Sequence, residues 1–550
     1  MLKRCSLPIL SLLLAIPFSV AAQSSSAPHL EKKGDVTQLI VDGKPYLMLA
    51  GELLNSSSSN LTYMQPVWAK LAAMGLNTVL TPLSWEQIEP TEGQYDFSLV
   101  DGLLAQAREQ HLHIVFLWLA AWKNGMSGYP PVWVKQDTAR FPRVMEDGNP
   151  MPILSTFSPA LREADSAAFA ALMAHLQKID AADHTVLMMQ VENEVGVLGA
   201  ARDHSAAADK AFAGEVPAEL MQYLTAHSAS LNEELRTLWA ANGMKTHGTW
   251  TQVFGDTERA DEIFMAWQYA RYVQSVAAAG KAAYPLPMYA NTWLAGEDTP
   301  PGDYPSGGAQ PRVLDVWMAA GAAFHGGLDM ESPDLYASGF ASWCKRYRRP
   351  NNPLFIPETN GSTAGAAHVF YALGQQAALG FSPFAIDAGL HGGAWPNQEA
   401  YLKGQTALAD SYHALAELMP LLTTAQAAGA VRGFVLDKSH PAVDFTMNGM
   451  TVHVRLDSIF GHSASSGYGL ILAESPYHFL GVGRGFDLSF TPRDDSAPRI
   501  GLASVVRGHF INDKWVAEER LNGDETDQGN HWRFDSRSLS IERAVLYRFP

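Results

Sequence analysis

Apolar and polar positions follow two different periods along most of this chain. Runs of four to eight apolar residues that end in polar or turn-forming residues are typical of strands buried on both faces. Such runs predict strands over 46–53, 77–83, 114–122, 186–194, 288–293, 313–318, 354–359 and 381–387. Between them, apolar residues recur every three to four positions, which predicts helices over 62–74, 98–110, 162–179, 258–282, 334–346 and 364–379. Eight strands that alternate with helices indicate an α/β fold, a (β/α)8 TIM barrel.

The pattern changes after Pro420, where short runs with period-two alternation are separated by Gly, Asn and Asp. This texture is typical of an antiparallel sheet. We therefore predict a barrel domain over 23–419, ending in a helix over 397–418, and a C-terminal antiparallel β domain over 420–550. The segment 200–256 exceeds what a connection needs and predicts a helical insertion after the fourth strand, next to the mouth of the barrel.

The N-terminus has the features of an export signal. Lys3 and Arg4 precede an apolar stretch, and small residues follow it up to Ala22. We expect a signal peptide over 1–22, then a loose lead-in over 23–34, in a bacterial protein that is exported to the periplasm or secreted. Cys5 lies before the expected cleavage point, which argues against a lipid anchor. Cys344 is then the single cysteine, so an intramolecular disulfide is excluded.

The composition narrows the range of partners. A net charge of -17 and the absence of any Lys/Arg-rich run argue against nucleic acid and against an anionic membrane. No later apolar run reaches the ~20 residues that a membrane-spanning helix needs. The 14 Trp of this acidic chain suit a neutral polar ligand such as a sugar. The sequence has no HExxH, no glycine fingerprint after a first strand and no phosphate loop, so we predict no metal and no cofactor.

Two predicted strands end in glutamate. The run over 186–194 ends in Glu192-Asn193-Glu194, and the run over 354–359 ends in Glu358-Thr359. Because the carboxyl ends of barrel strands meet at one mouth, Glu194 and Glu358 are expected to face each other, while Glu192 is expected to point away or sideways and to be structural. Two facing carboxyls suit hydrolysis of a glycosidic bond, with retention at a spacing of ~5 Å and inversion at ~6.5–9.5 Å. Either strand end alone would equally fit a solvated terminus without chemistry.

At this point the sequence resembles glycoside hydrolase family 35, the β-galactosidases of the large clan of retaining glycosidases. The segment over 190–196, QVENEVG, is similar to the family's QVENEYG, and the segment over 85–97 resembles the EPxxGxYDF motif that families 35 and 42 share. The resemblance implies that Glu194 is the acid/base, that Asn193 binds the sugar 2-hydroxyl and that Glu358 is the nucleophile. We expect Glu194 to stay protonated near neutral pH and Glu358 to stay ionised.

Two segments depart from the family pattern. Many members carry HYxR after strand 1, where this chain has GELLNS over 51–56. Many carry AEW after strand 3, where Ala121 replaces the glutamate that holds galactose. That contact is missing, so other groups recognise the sugar or the sugar differs. The candidates for substitute contacts are Glu52, Asn55, Trp122, Lys123 and Asn124.

Aromatic residues near other strand ends are further candidates. The resemblance implies that a tyrosine near the end of strand 6 donates a hydrogen bond to the nucleophile, which Tyr336 could do; a packing role is the alternative. Trp395, Trp85 and Trp293 could stack on a sugar, because a Trp face packs well against sugar C–H groups. Each could equally belong to the core. Glu89, which precedes a proline, is expected to stabilise a turn.

The resemblance implies a retaining exo-glycosidase that removes terminal β-galactosyl residues, with plant cell-wall oligosaccharides of the xyloglucan type as a source. Two alternatives stay open: the same mechanism on an arabinosyl or glucosyl group, and a non-catalytic carbohydrate-binding barrel, which the presence of both Glu194 and Glu358 disfavours. The expected partner is an oligosaccharide substrate. The sequence leaves open a homo-oligomer and the role of the C-terminal domain.

Overall fold

The computed structural model describes residues 26–324, 326–389, 397–459, 462–493 and 498–550. Eight parallel strands form its largest sheet: β1 Met48–Glu52, β2 Thr78–Ser84, β3 His113–Lys123, β4 Val186–Asn193, β5 Met288–Trp293, β6 Met330–Leu335, β7 Glu358–Thr359 and β8 Gly380–Phe381. They are hydrogen-bonded in the order β7, β6, β5, β4, β3, β2, β1, β8. A parallel bridge between Ile356 and Phe381 joins the two ends of this order. The predicted (β/α)8 barrel is therefore confirmed.

Helices surround the strands, as an α/β barrel requires, because each strand is buried on both faces. The main ones are Leu61–Ala73, Trp85–Ile88, Ser98–Glu109, Val132–Gln136, Pro159–Asp180, Glu258–Ala283, Leu314–Phe324, Phe340–Tyr347, Thr363–Gln376 and Gln398–Ala427. Local chemistry marks their starts: the Ser158 side chain accepts from Leu161 N, and Pro159 occupies the first helical position. None of the described helices is long and apolar enough to cross a membrane.

The segment over 200–256 forms four short helices, Ala206–Phe212, Ala218–Ala226, Glu233–Ala241 and Trp250–Phe254. Helix Ala218–Ala226 packs against helix Leu314–Phe324 on the outside of the barrel. A short hairpin, Arg143–Glu146 with Asn149–Leu154, follows β3. The helical insertion thus thickens the barrel wall.

One predicted strand is wrong. The stretch over 313–318 lies in helix Leu314–Phe324 instead. The sixth barrel strand is Met330–Leu335, and its last two residues overlap the helix predicted over 334–346. The helix is buried on most of its faces, so its apolar run lacks the period of an amphipathic helix. The true strand carries buried Glu331, Ser332 and Asp334, so it lacks an apolar run.

The lead-in predicted over 23–34 is also partly wrong. Strands His29–Lys33, Val36–Val41 and Lys44–Tyr46 form an antiparallel sheet directly before β1. Leu39 and Val41 pack against residues at the N-terminal ends of the barrel strands, among them Met48, Val115 and Leu187. This N-terminal sheet therefore closes the base of the barrel, opposite the mouth.

The C-terminal part consists of two antiparallel sheets. In sheet order, the first contains Val431–Asp437, Ser466–Ser475, His478–Arg484, Ser540–Phe549, Arg499–Ile511 and Lys514–Leu521, and the second contains Ala442–Met447, Met450–Leu456, Phe486–Pro492 and Trp532–Phe534. Strand Ser458–Ile459 pairs with His462–Ser463. Buried apolar side chains such as Phe434, Val452 and Phe486 form a core of their own. Helix Thr363–Gln376 of the barrel packs against strand Val431–Asp437, where Gly374 and Gly433 let the two backbones approach closely.

Candidate active site

A cavity of about 480 Å³ opens at the C-terminal ends of the barrel strands. Parallel barrels place their active sites at this end, because the loops that follow the strands converge there. The residues that line it are Asn55, Lys123, Asn124, Glu194, Trp293, Leu294, Asp334, Tyr336, Ala337, Glu358 and Phe384. Its chemistry is dominated by three carboxyls, one ammonium and two exposed aromatic rings.

Glu194 follows β4 directly and is held by the backbone around it. Its N–H donates to Asn291 Oδ1 at 2.9 Å, and its carbonyl accepts from Gly125 N at 3.0 Å. Glu192 and Glu194 both have left-handed backbone, with φ of 62° and 45°. Such values are uncommon outside glycine and persist where surrounding contacts over-determine them. The strand end is therefore a constrained turn that carries Glu194 into the cavity.

Glu358 begins β7 and receives two hydrogen bonds through its carboxylate. Tyr336 Oη donates to Oε2 at 2.8 Å, and Asn291 Nδ2 donates to Oε1 at 3.2 Å. The residue is 5% exposed. Donors to both oxygens stabilise the negative form of a buried carboxylate. Glu358 is thus equipped to carry a charge in the cavity.

Glu194, Asp334 and Glu358 form a compact carboxylate triad, in which one oxygen of each lies within 4.8 Å of the others. This spacing fits the ~5 Å separation of the two carboxyls in retaining glycosidases. Three such oxygens could also coordinate a hard divalent cation. The ammonium of Lys123 lines the same cavity and already supplies positive charge there, which weighs against a cation.

The carboxyls differ in how readily they ionise. Burial, followed by the negative charge of Glu358, raises the pKa of Glu194 to about 7, while Lys123 and a hydrogen bond with Asp334 act in the opposite direction. Burial, together with the charges of Glu358 and Glu194, raises the pKa of Asp334 well above its usual range. Burial alone would lower the pKa of Lys123, but Glu358, Glu194 and Glu52 raise it. The cavity therefore holds a neutral-pH acid beside a hydrogen-bonded carboxylate.

Asn193 and Glu52 lie buried beside the cavity. Asn193 Oδ1 accepts from Gln190 Nε2 at 3.0 Å and from Asn291 Nδ2 at 3.2 Å, which orients the amide. Its Nδ2 has no hydrogen-bond partner within the described part of the chain. The two carboxyl oxygens of Glu52 also lack a hydrogen-bond partner within the described part of the chain. Burial, followed by the negative charge of Glu358, raises the pKa of Glu52 well above its usual range.

The structure brings five of the predicted binding residues to the cavity wall: Asn55, Lys123, Asn124, Trp293 and Tyr336. Two predicted aromatics lie elsewhere. Trp85 Nε1 donates to Glu89 Oε2 at 2.8 Å, and Trp122 Nε1 donates to Leu154 O at 3.0 Å. Both rings are fully buried, so they are packing residues that the helical side of the barrel requires. Trp395 lies outside the described residues.

Two residues of the site escaped sequence reasoning. Asn291 sits inside β5, and its amide reaches Asn193, Asp334 and Glu358 as well as the backbone of Glu194. A polar residue inside a predicted buried strand was the available signal. Asp334 was missed because the sequence predicts that it begins a helix over 334–346, whereas it lies in β6.

Two segments of the chain match known protein families. Residues 60–259 match the glycoside hydrolase 42 family, described as "Beta-galactosidase", and residues 408–533 match a "Domain of unknown function" numbered 5597. A β-galactosidase of Xanthomonas manihotis is 32% identical over 211 residues, which are 36% of this chain and 31% of that protein. The chain thus spans about a third of this relative's length. The sequence resemblance to family 35 is not supported, since the matching family is 42.

Solved structures also match this chain, at low identity. The β-galactosidase from Bacillus circulans sp. alkalophilus has 14% identity and a TM-score of 0.46, with 69% of this chain and 57% of that chain covered. A family 42 β-galactosidase from G. stearothermophilus has 11% identity and a TM-score of 0.47, with 91% and 98% covered.

Proposed function

We propose that this protein is a β-galactosidase-like glycoside hydrolase that works with retention of anomeric configuration. The observation that carries the proposal is the carboxylate pair Glu194 and Glu358, whose oxygens come within 4.8 Å of each other in the cavity at the barrel mouth. The match of residues 60–259 to the family described as "Beta-galactosidase" supports a galactosyl group as the sugar. The substrate we propose is an oligosaccharide of the xyloglucan type that carries a terminal β-galactosyl residue and that the protein meets after export.

The two glutamates divide the work in two steps. Glu358 attacks the anomeric carbon while Glu194 gives its proton to the departing glycosidic oxygen, which yields a glycosyl ester on Glu358. Glu194, now ionised, then removes a proton from water, and the water oxygen displaces Glu358 from the anomeric carbon. A pKa of about 7 lets Glu194 serve both steps near neutral pH.

Other cavity residues bind the sugar in this proposal. Trp293 and Tyr336, 38% and 47% exposed, offer aromatic surface to sugar C–H groups. The free Nδ2 of Asn193 is a donor for a sugar hydroxyl. Ala121 leaves out one carboxylate contact with galactose, and this departure favours an arabinosyl or glucosyl residue as the second candidate.

Variants of the two glutamates test the reaction. Glu358→Gln should abolish turnover, because an amide cannot form the ester intermediate. Glu194→Ala should lose about 10²–10⁴-fold on substrates with poor leaving groups. On a dinitrophenyl β-galactoside it should stall at the second step, and azide should restore the rate, because azide attacks without a general base.

The matched control is Glu109→Ala, an exposed glutamate at the end of helix Ser98–Glu109, which should behave as wild type. Full turnover by Glu358→Gln, or a Glu194→Ala enzyme that azide leaves unchanged, would show the mechanism to be wrong. A panel of nitrophenyl β-galactoside, α-arabinoside and β-glucoside separates the candidate sugars. A wild-type enzyme inactive on all of them but able to bind sugar would support the non-catalytic barrel.

A further inference from the structure

Asp334, the last polar residue of β6, is a third carboxyl in the cavity with no part in the two-step reaction above. It is 1% exposed, and its Oδ2 accepts from Asn291 Nδ2 at 2.9 Å. Its Oδ1 is buried, and no N–H or O–H group of the described residues donates to it. The carboxyl of Glu194 lies beside it in the carboxylate triad, where one oxygen of each member lies within 4.8 Å of the others. Two carboxyls can hydrogen-bond only through a proton that one of them holds.

The surroundings decide which carboxyl keeps that proton. Glu358, Glu194 and Glu52 bring negative charge to Asp334, and Lys123 is the cation that lines the cavity. The hydroxyls of Tyr289 and Tyr336 lie near the same carboxyls, and burial, followed by these negative charges, raises the pKa of both, so they stay neutral. Both carboxylate oxygens of Glu358 receive a donor, whereas one oxygen of Asp334 receives a donor, and Asn291 shares that donor with Asn193 and Glu358. Asp334, buried among negative charges and short of donors, is therefore a carboxyl that keeps its proton.

We propose that Asp334 is a positioning residue that, as a neutral acid, donates a hydrogen bond to Glu194 and so sets the pH range in which Glu194 acts. The inference rests on the proposed role of Glu194 as acid and base. When Glu194 gives its proton to the leaving oxygen, the new carboxylate faces the O–H of Asp334 rather than a second negative charge. The donated bond stabilises the carboxylate that must later accept a proton from water.

The test compares pH profiles of kcat/KM on nitrophenyl β-galactoside for Asp334→Ala and Asp334→Asn. Loss of the donor in Asp334→Ala should destabilise the Glu194 carboxylate and move the alkaline limb up by about one pH unit, the equivalent of one charge-assisted hydrogen bond. Asp334→Asn keeps a donor, Nδ2, and its limb should stay close to that of wild type. Glu331→Gln is the matched control, because Glu331 is a buried acid of the same strand that lies outside the cavity.

The proposal is overturned if both variants lose rate with an unshifted limb, or if Asp334→Asn shifts as far as Asp334→Ala. Should Asp334→Ala fail to fold, Asp334→Leu replaces it, because a leucine side chain is similar in shape to aspartate and has no hydrogen-bond donor, and the same two outcomes apply. Failure of the proposed function looks different. In that case the wild-type enzyme shows no turnover, or Glu358→Gln retains it, whatever the residue at position 334.

Discussion

Asn291 illustrates how much one side chain decides in this site. Its Oδ1 accepts from the backbone of Glu194, and its Nδ2 lies 2.9 Å from Asp334 Oδ2, 3.2 Å from Glu358 Oε1 and 3.2 Å from Asn193 Oδ1. An amide group has only two N–H bonds, so its three acceptors share them. The residue thereby ties β4, β5, β6 and β7 together at one point. The spacing of the two glutamates depends on this amide.

Tyr336 gives a second test at the scale of one residue. Removing its hydroxyl in Tyr336→Phe takes away the 2.8 Å hydrogen bond to Glu358 Oε2 and leaves the ring in place. A hydrogen bond to a charged group is worth about 1.5–3 kcal/mol, so kcat should fall about 10- to 100-fold while KM changes little. Steady-state kinetics on nitrophenyl β-galactoside measure this. Tyr547→Phe, at an exposed tyrosine of the C-terminal sheet, is the control. A larger change in KM than in kcat would assign Tyr336 to sugar binding instead.

Glu194 and Glu358 could be predicted because each follows a recognisable apolar run, and chain topology alone then brings them to one mouth. Their exact partners could not. Asn291 contacts residues that lie 43 to 98 positions away, and no local pattern encodes such contacts. Trp85 and Trp122 were predicted to contact sugar, but they are buried packing residues. The sequence at a strand end does not show whether a tryptophan ring points into the mouth or into the surrounding helices.

The end of β4 shows how an element is shaped by a buried charge. The pairing of β3 with β4 slips between Trp118 and Lys123, so part of β3 loses its ladder partners. Glu192 replaces them: its carboxyl accepts from Ala121 N at 3.1 Å and from Trp122 N at 2.8 Å. Asp165 lies next to the Glu192 carboxyl. Burial, followed by the negative charge of Asp165, raises the pKa of Glu192 well above its usual range. The bulge of β3 presents Lys123 and Asn124 to the cavity.

Glu192→Ala should therefore weaken both the fold and the site. Two buried amides lose their acceptor, at a cost of about 1–3 kcal/mol each. We expect a lower urea midpoint and a lower kcat/KM, because the turn that carries Lys123 loses its anchor. Urea unfolding followed by tryptophan fluorescence gives the first quantity. Glu109→Ala should stay within about 0.5 kcal/mol of wild type. A Glu192→Ala protein as stable as wild type would contradict this account of the bulge.

The barrel strands also show which elements an apolar pattern can predict and which it cannot. Strands β2 to β5 were predicted almost to the residue, because their apolar runs face a helix layer on one side and the barrel core on the other. Strand β6 was missed because the polar residues it presents to the mouth, Ser332 and Asp334, interrupt the run. The polar residues that face the mouth thus remove the apolar pattern by which the strand could be predicted.

At the scale of the molecule, several acids among the described residues are deeply buried. Burial raises the pKa of Glu52, Glu331 and Asp334 well above the usual range and that of Glu194 to about 7. A raised pKa means that the folded state binds protons that the unfolded chain has already lost. The free energy of unfolding then decreases as pH rises from the unfolded value near 4.5 through the folded value.

We therefore expect the urea midpoint to fall as the pH rises from about 4.5 through about 7. Glu331→Gln should flatten part of this decline, because its amide cannot ionise and burial is the cause that raises the pKa of Glu331. Unfolding curves at several pH values in one ionic strength test both statements. A midpoint that rises over this interval would mean that carboxylates are stabilised by folding, which contradicts the assigned directions.

The N-terminal sheet, with Leu39 and Val41 against the strand starts, closes the base of the barrel, so within the described residues the cavity opens at the mouth. A substrate must then enter with its terminal sugar leading and its remainder toward solvent. The remainder leaves first, and the freed sugar, at the dead end, leaves last by the route it entered. In the proposed reaction, free sugar and fresh substrate therefore compete for the same position in the cavity, so accumulating product should slow turnover.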